Sequence, residues 1–129
     1  MTEPLSGPLG PDAWQIWMNP RCGSSRKALE LLHQQGIAPE VRLYLQQCPA
    51  AAELVALLEL LKIPARQLLR TQEPVYLEEG LQDASLGSDI VLAAIVRHPV
   101  LLQRPIVLRG SRGIVARPPE RLLELVDPS

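Results

Sequence analysis

Apolar residues change their spacing several times along this chain, and each change marks an element. Trp14, Ile16, Trp17 and Met18 crowd a short run that predicts a strand over Trp14–Met18, with Asn19-Pro20 as its turn signal. Ala28, Leu29, Leu31 and Leu32 then recur at helical spacing, predicting a helix from Ser24 to Gln35 with Ser24 as N-cap and Gly36 as a left-handed stop. Val41, Leu43 and Leu45 alternate with Arg42 and Tyr44, the period of a half-buried strand over Val41–Leu45 whose apolar side is expected to face the core.

The middle of the chain is helical. Leu54, Leu57, Leu58 and Leu61 share one face of a helix over Ala50–Leu61, and Pro64 restarts the chain into a short helix through Leu69. Residues 71–87 read as a loop with brief turns. Ser88 is placed to cap a helix carrying Ile90, Val91, Ala94 and Ile95 that ends before Pro99. The period then shortens again. Pro105–Leu108 reads as a strand, Gly110–Gly113 as a tight turn, and Ile114–Ala116 as the hairpin partner. Pro118 and Pro119 open a last helix with Leu122, Leu123, Leu125 and Val126. The order βαβ, helices, ββα predicts an α/β domain: a four-stranded mixed sheet with helices on both faces.

Composition narrows the function classes. A chain of 129 residues is one domain of ordinary size, and its net charge of −1 gives no sign of binding nucleic acid or a membrane surface. Residues 1–13 contain Pro4, Gly7, Pro8, Gly10 and Pro11 without a basic start or an apolar stretch, so they read as a flexible tail rather than a signal peptide, leaving 14–129 as the domain. Cys22 and Cys48 are too few for a disulfide scaffold and lack the clustered histidines of a zinc site, so no metal is expected. A reducing, cytoplasmic compartment follows most simply.

Cys22 is the candidate for chemistry. It lies at the junction of the first strand and the first helix, in Asn19-Pro20-Arg21-Cys22-Gly23-Ser24-Ser25. The unpaired amides and positive dipole end of a helix favour a thiolate over a thiol, and Arg21 beside it acts in the same direction. Cys48, followed by Pro49, reads as a bystander. His33 is expected on a solvated helix side, and His98 at a helix C-terminus.

Four motifs in order carry a resemblance: Asn19-Pro20-x-Cys22, Leu68-Leu69-Arg70, His98-Pro99 leading to Arg104-Pro105-Ile106-Val107, and Arg117-Pro118-Pro119-Glu120. With them the chain resembles the glutaredoxin-coupled arsenate reductase family, a thioredoxin-like fold with a helical insertion. The resemblance implies that Cys22 is the nucleophile and that Arg70, Arg104 and Arg117 bind the oxyanion. It also implies that Asn19, Pro20, Arg21 and Ser25 support the cysteine loop, and that Pro105 is a cis-proline beside the thiol. The chemistry is coherent: guanidinium groups offset the repulsion between a thiolate and an anionic substrate, and stabilise charge in the transition state.

Ser25 occupies the position where dithiol oxidoreductases carry a second cysteine, so an oxidised Cys22 has to be resolved from outside. Glutathione as co-substrate and glutaredoxin as partner meet that need, with no bound cofactor and a monomer as the expected form. The family's histidine before Asn-Pro is Met18 here, which favours a second reading: a glutathione-linked thiol oxidoreductase with another substrate. A third is a non-catalytic regulator of the Spx type that binds RNA polymerase, disfavoured by Ser25.

Overall fold

The computed structural model describes residues 13–126, so the tail expected over residues 1–13 lies, apart from Ala13, outside the described residues. Strand β1 (Trp14–Met18) is followed by helix α1 (Gly23–Gln34) and strand β2 (Glu40–Leu43). Helices α2 (Ala51–Leu61), α3 (Pro74–Glu78) and α4 (Ser88–Arg97) come next, with 3-10 turns at Ala65–Leu68 and Pro99–Leu101. A hairpin of β3 (Ile106–Arg109) and β4 (Arg112–Val115) leads to a 3-10 turn at Pro119–Leu122 and a short α5 (Leu123–Val126). The sheet order is β2-β1-β3-β4, with β1 parallel to β2 and antiparallel to β3, which is antiparallel to β4. This is the four-stranded mixed sheet that the pattern predicts. The region read as a loop over 71–87 contains α3, whose first residue is Pro74 and which buries no residue fully. A single turn with no apolar stripe leaves little periodic signal.

The sheet separates two apolar clusters. Trp17, Ile106 and Leu108 face the insertion, packing with Leu54, Leu57, Leu68, Val91 and Ile95. Ile16, Met18 and Val107 face Ala28, Leu32, Leu122 and Leu125 on the other side. Central strands β1 and β3 are therefore buried on both faces, which is why their sequences run apolar rather than alternating. The polar residue within β1, Gln15, is fully buried but bonded: its Oε1 accepts from Trp17 Nε1 at 2.6 Å and its Nε2 donates to Glu40 at 3.1 Å.

The chain at β2 meets the expected facing only at Leu43, which packs against the second cluster. Arg42 and Tyr44 are buried, whereas Val41 and Leu45 are 40% exposed. The inward charge is tolerated because it is fully engaged. Arg42 Nη1 and Nη2 bond Glu53 of α2 at 2.8 and 3.1 Å, its Nε donates to the Gln47 carbonyl at 2.8 Å, and its guanidinium lies 4.8 Å from the centre of the Trp17 ring. Glu53 Oε1 also accepts the Ala50 amide at 3.0 Å, fastening the start of α2. The hairpin is closed by Gly110, whose φ of 59° is left-handed, and it approaches α2 through Gly113. A Cβ at Gly113 falls 2.5 Å from Leu108 Cδ2 and 3.0 Å from Leu61 Cδ2.

Two outcomes follow for stability. Replacing Glu53 with alanine leaves the Arg42 charge buried without its carboxylate, and is expected to cost about 3 kcal/mol in denaturant unfolding. The Arg42 hydrogen bonds hold the Glu53 pKa below its ordinary value, so this contribution is present above the usual glutamate range and is lost as pH falls through the folded pKa. Glu53→Gln is expected to flatten that acid limb. Gly113→Ala forces two leucine side chains to move in a packed core and should destabilise by about 1–2 kcal/mol.

Candidate active site

Cys22 is itself the N-cap of α1, at φ −93° and ψ 125°, two residues before the expected Ser24. The turn that delivers it is closed by Cys22 N donating to the Asn19 carbonyl at 2.9 Å. Asn19 organises the rest of this loop. Its Oδ1 accepts the Arg21 amide at 3.0 Å, and its own N–H donates to Ser25 Oγ at 3.2 Å. Pro20 is exposed, and its carbonyl accepts Arg26 Nη1 at 3.0 Å. Arg21 is exposed beside the cysteine. Ser25, by contrast, is fully buried under the loop.

The sulfur faces the open amides of the first helical turn. Partial burial pushes its pKa up, but the Ser25 amide and hydroxyl, the Arg104 guanidinium and the Ser24 amide outweigh that and bring it down to about 7. The resting thiol makes no full capping hydrogen bond, so these donors act chiefly on the thiolate. These donors favour the thiolate form of Cys22 near neutral pH.

Arg104 is buried next to Cys22, its Nη1 donating to the Val100 carbonyl over a long 3.4 Å. The Arg104–Pro105 peptide is cis, and so is Arg117–Pro118. Pro105 is buried and its carbonyl accepts the Ala116 amide at 2.9 Å, while Arg117 Nη1 donates to the Arg104 carbonyl at 3.1 Å. Arg70 arrives from the insertion. Leu69 and Leu102 form an antiparallel bridge, with the Arg70 amide on the Leu101 carbonyl and the Gln103 amide on the Leu68 carbonyl, each at 2.7 Å. Arg70 and Arg117 line one cleft of about 110 Å³ with Thr71, Gln72 and Gln103. Arg70 is not wholly free for a ligand, because its Nε is paired with Glu73 at 3.2 Å.

The three arginines are thus joined through the Arg104 backbone: Arg104 on the sulfur, Arg117 on the Arg104 carbonyl, and Arg70 across a cleft from Arg117. Cys48 is exposed and its sulfur contacts only the nearby Leu45 carbonyl at 3.7 Å among the described residues. His33 is exposed in the last turn of α1. His98 caps the end of α4 and lies 3.6 Å from Glu79. Two residues went unnoticed in the sequence. Gln103 lines the cleft, and its Nε2 donates to the Leu69 carbonyl at 2.9 Å. Tyr44 is fully buried with its hydroxyl toward Arg104. The alternation of β2 placed Tyr44 on the same face as Arg42, and that was the available signal.

Known proteins resemble this chain over most of its length. The chain matches the ArsC family model over residues 17–125. It is 43% identical over 109 residues to a protein named arsenate reductase from Neisseria meningitidis serogroup B, covering 84% of this chain and 93% of that one. It is equally similar, 43% over 113 residues, to an Escherichia coli K12 protein named YfgD and described as uncharacterized, covering 87% and 95% of the two chains. A solved structure described as arsenate reductase from Vibrio cholerae superposes with a TM-score of 0.85 at 40% identity, covering 88% of this chain and 97% of that one. Cysteine loop, cis-proline and arginines thus sit on a chain that belongs to the ArsC family.

Proposed function

We propose that this protein is an arsenate reductase that uses Cys22 as a single nucleophilic thiol and depends on glutathione and glutaredoxin for turnover. The observation that carries the reading is the placement of Cys22 at the start of α1, beside the buried Arg104 guanidinium, on a chain of the ArsC family. The Cys22 thiolate attacks arsenic, and one arsenate oxygen leaves as water. A glutathione thiol then adds its electrons. The two thiols together give up two electrons, pentavalent arsenic becomes trivalent, and arsenite leaves as Cys22 and glutathione join in a mixed disulfide. Glutaredoxin removes the glutathione from that disulfide and restores the Cys22 thiol.

Each residue has a task in this sequence. Arg104 offsets charge at the sulfur and on the arsenic oxygens. Arg70 and Arg117 hold the remaining oxygens with charge-assisted hydrogen bonds. Asn19 shapes the loop, with Pro20 and Arg21 at its exposed side, and Ser25 donates to the thiolate. Pro105 presents backbone beside the thiol, where a glutathione or glutaredoxin segment can pair. Because Ser25 has no sulfur to offer, an oxidised Cys22 is resolved by outside thiols. The second reading, transfer of glutathione to or from another substrate, is favoured by one feature: Met18, buried before Asn19, brings no imidazole to the loop.

A coupled assay following NADPH with arsenate, glutathione, glutaredoxin and glutathione reductase tests the first reading. Turnover is expected, and it should vanish in Cys22→Ser. NADPH consumption that is independent of arsenate but uses a glutathione mixed disulfide would select the second. Arg117→Ala is expected to raise the KM for arsenate about tenfold, the loss of one charge-assisted hydrogen bond of about 1.5 kcal/mol. Alkylation of Cys22 should rise through a midpoint of about pH 7; a midpoint near that of a free thiol would remove the basis for an activated nucleophile.

A further inference from the structure

Beneath the candidate site lies a buried phenol that the mechanism above does not use, beside an Arg104 nitrogen left without a partner. Tyr44 is fully buried, and its phenolic oxygen has no hydrogen-bond partner; Arg104 Nε is buried and likewise unpartnered. The Arg104 guanidinium is within bonding reach of that oxygen, and Arg70 and Cys22 are close enough to act on it electrostatically. Each buried polar group left unpaired costs about 1–3 kcal/mol. Two such groups side by side, one a donor and one an acceptor, are satisfied together by a small movement of the guanidinium. What holds Arg104 elsewhere is weak: the bond from Nη1 to the Val100 carbonyl is 3.4 Å long.

We propose that Tyr44 is a positioning residue for Arg104, its phenolic oxygen accepting the Nε–H so that the rest of the guanidinium is aimed at the Cys22 sulfur and the anion bound there. Burial keeps the phenol neutral, since its pKa is raised by desolvation against the opposing influence of Arg104 and Arg70. A neutral phenol accepts from the cation without cancelling its charge. A carboxylate in the same place would neutralise Arg104 and leave less for the thiolate. Tyr44 itself has no exposed surface, so it acts through Arg104 and does not touch the substrate.

This inference rests on the reading of Cys22 as an activated nucleophile, though not on arsenate as its substrate. Its test is therefore alkylation of Cys22 by iodoacetamide as a function of pH, which needs no substrate. Tyr44→Phe keeps the ring that fills the core and removes the oxygen alone. It is expected to move the alkylation midpoint upward and slow the reaction at pH 6 about threefold, a shift of about half a pKa unit. In an Arg104→Met background, or Arg104→Lys should the former fail to fold, the same tyrosine change is expected to add nothing. A Tyr44→Phe profile superimposable on the wild type overturns the proposal. A shift that persists undiminished without the arginine overturns it as well, because the phenol would then act directly or through packing. Absence of arsenate turnover in the wild type bears on the substrate alone and leaves the alkylation result to decide the role of Tyr44.

Discussion

The candidate site depends on one short backbone segment, Gln103-Arg104-Pro105. Its amide at Gln103 bonds the end of the first 3-10 turn, and its carbonyl at Pro105 bonds the segment after β4. The carbonyl between them, that of Arg104, receives the Arg117 side chain. Parts of the chain far apart in sequence are therefore fastened to three consecutive residues, and β3 continues from them into the centre of the sheet. Because the same strand pairs with β1, whose end leads to Cys22, the cysteine and the arginines share one structural reference.

Charge in this arrangement is distributed by burial. Arg104, the most buried of the three arginines, lies at the sulfur, where a low dielectric strengthens its field. Arg117 is exposed and Arg70 is partly shared with Glu73, so the charges of these two lie where water competes. The result is a gradient of burial, from Arg104 at the sulfur to Arg70 and Arg117 nearer solvent.

Much of this was legible in the sequence. The strands β1 and β3, the helices α1, α2 and α4, and the hairpin follow from spacing, because each commits a clear apolar face to one of two cores. The position of Cys22 at a helix start was legible for the same reason, although its exact capping position was not: Ser24 has the chemistry of a cap, but the turn closed by Asn19 begins the helix earlier. The facing of β2 was misleading because apolarity alone ranks Val41 and Leu45 above Arg42 and Tyr44. What reverses it is pairing across the tertiary structure, with Glu53 and Trp17 available only once α2 and β1 are in place. The role of Tyr44 was hidden behind that same reversal. The expectation that Arg70, Arg104 and Arg117 serve one site came from motif resemblance, since no local pattern records which distant loops meet.

The Arg42–Glu53 pair has an effect beyond the helix it fastens. Strand β2 is an edge strand with a single neighbour, and in an edge strand a slip of one residue would exchange its two faces throughout. Such a slip would turn Val41 and Leu45 away from solvent, but it would also take Leu43 off the cluster it packs against. The two-pronged bond from Arg42 to Glu53 forbids it, because only one alignment brings guanidinium and carboxylate together. An ion pair at one end of the strand thereby acts as a latch on registry, and what it keeps in place, two residues further on, is the phenol behind the reactive sulfur.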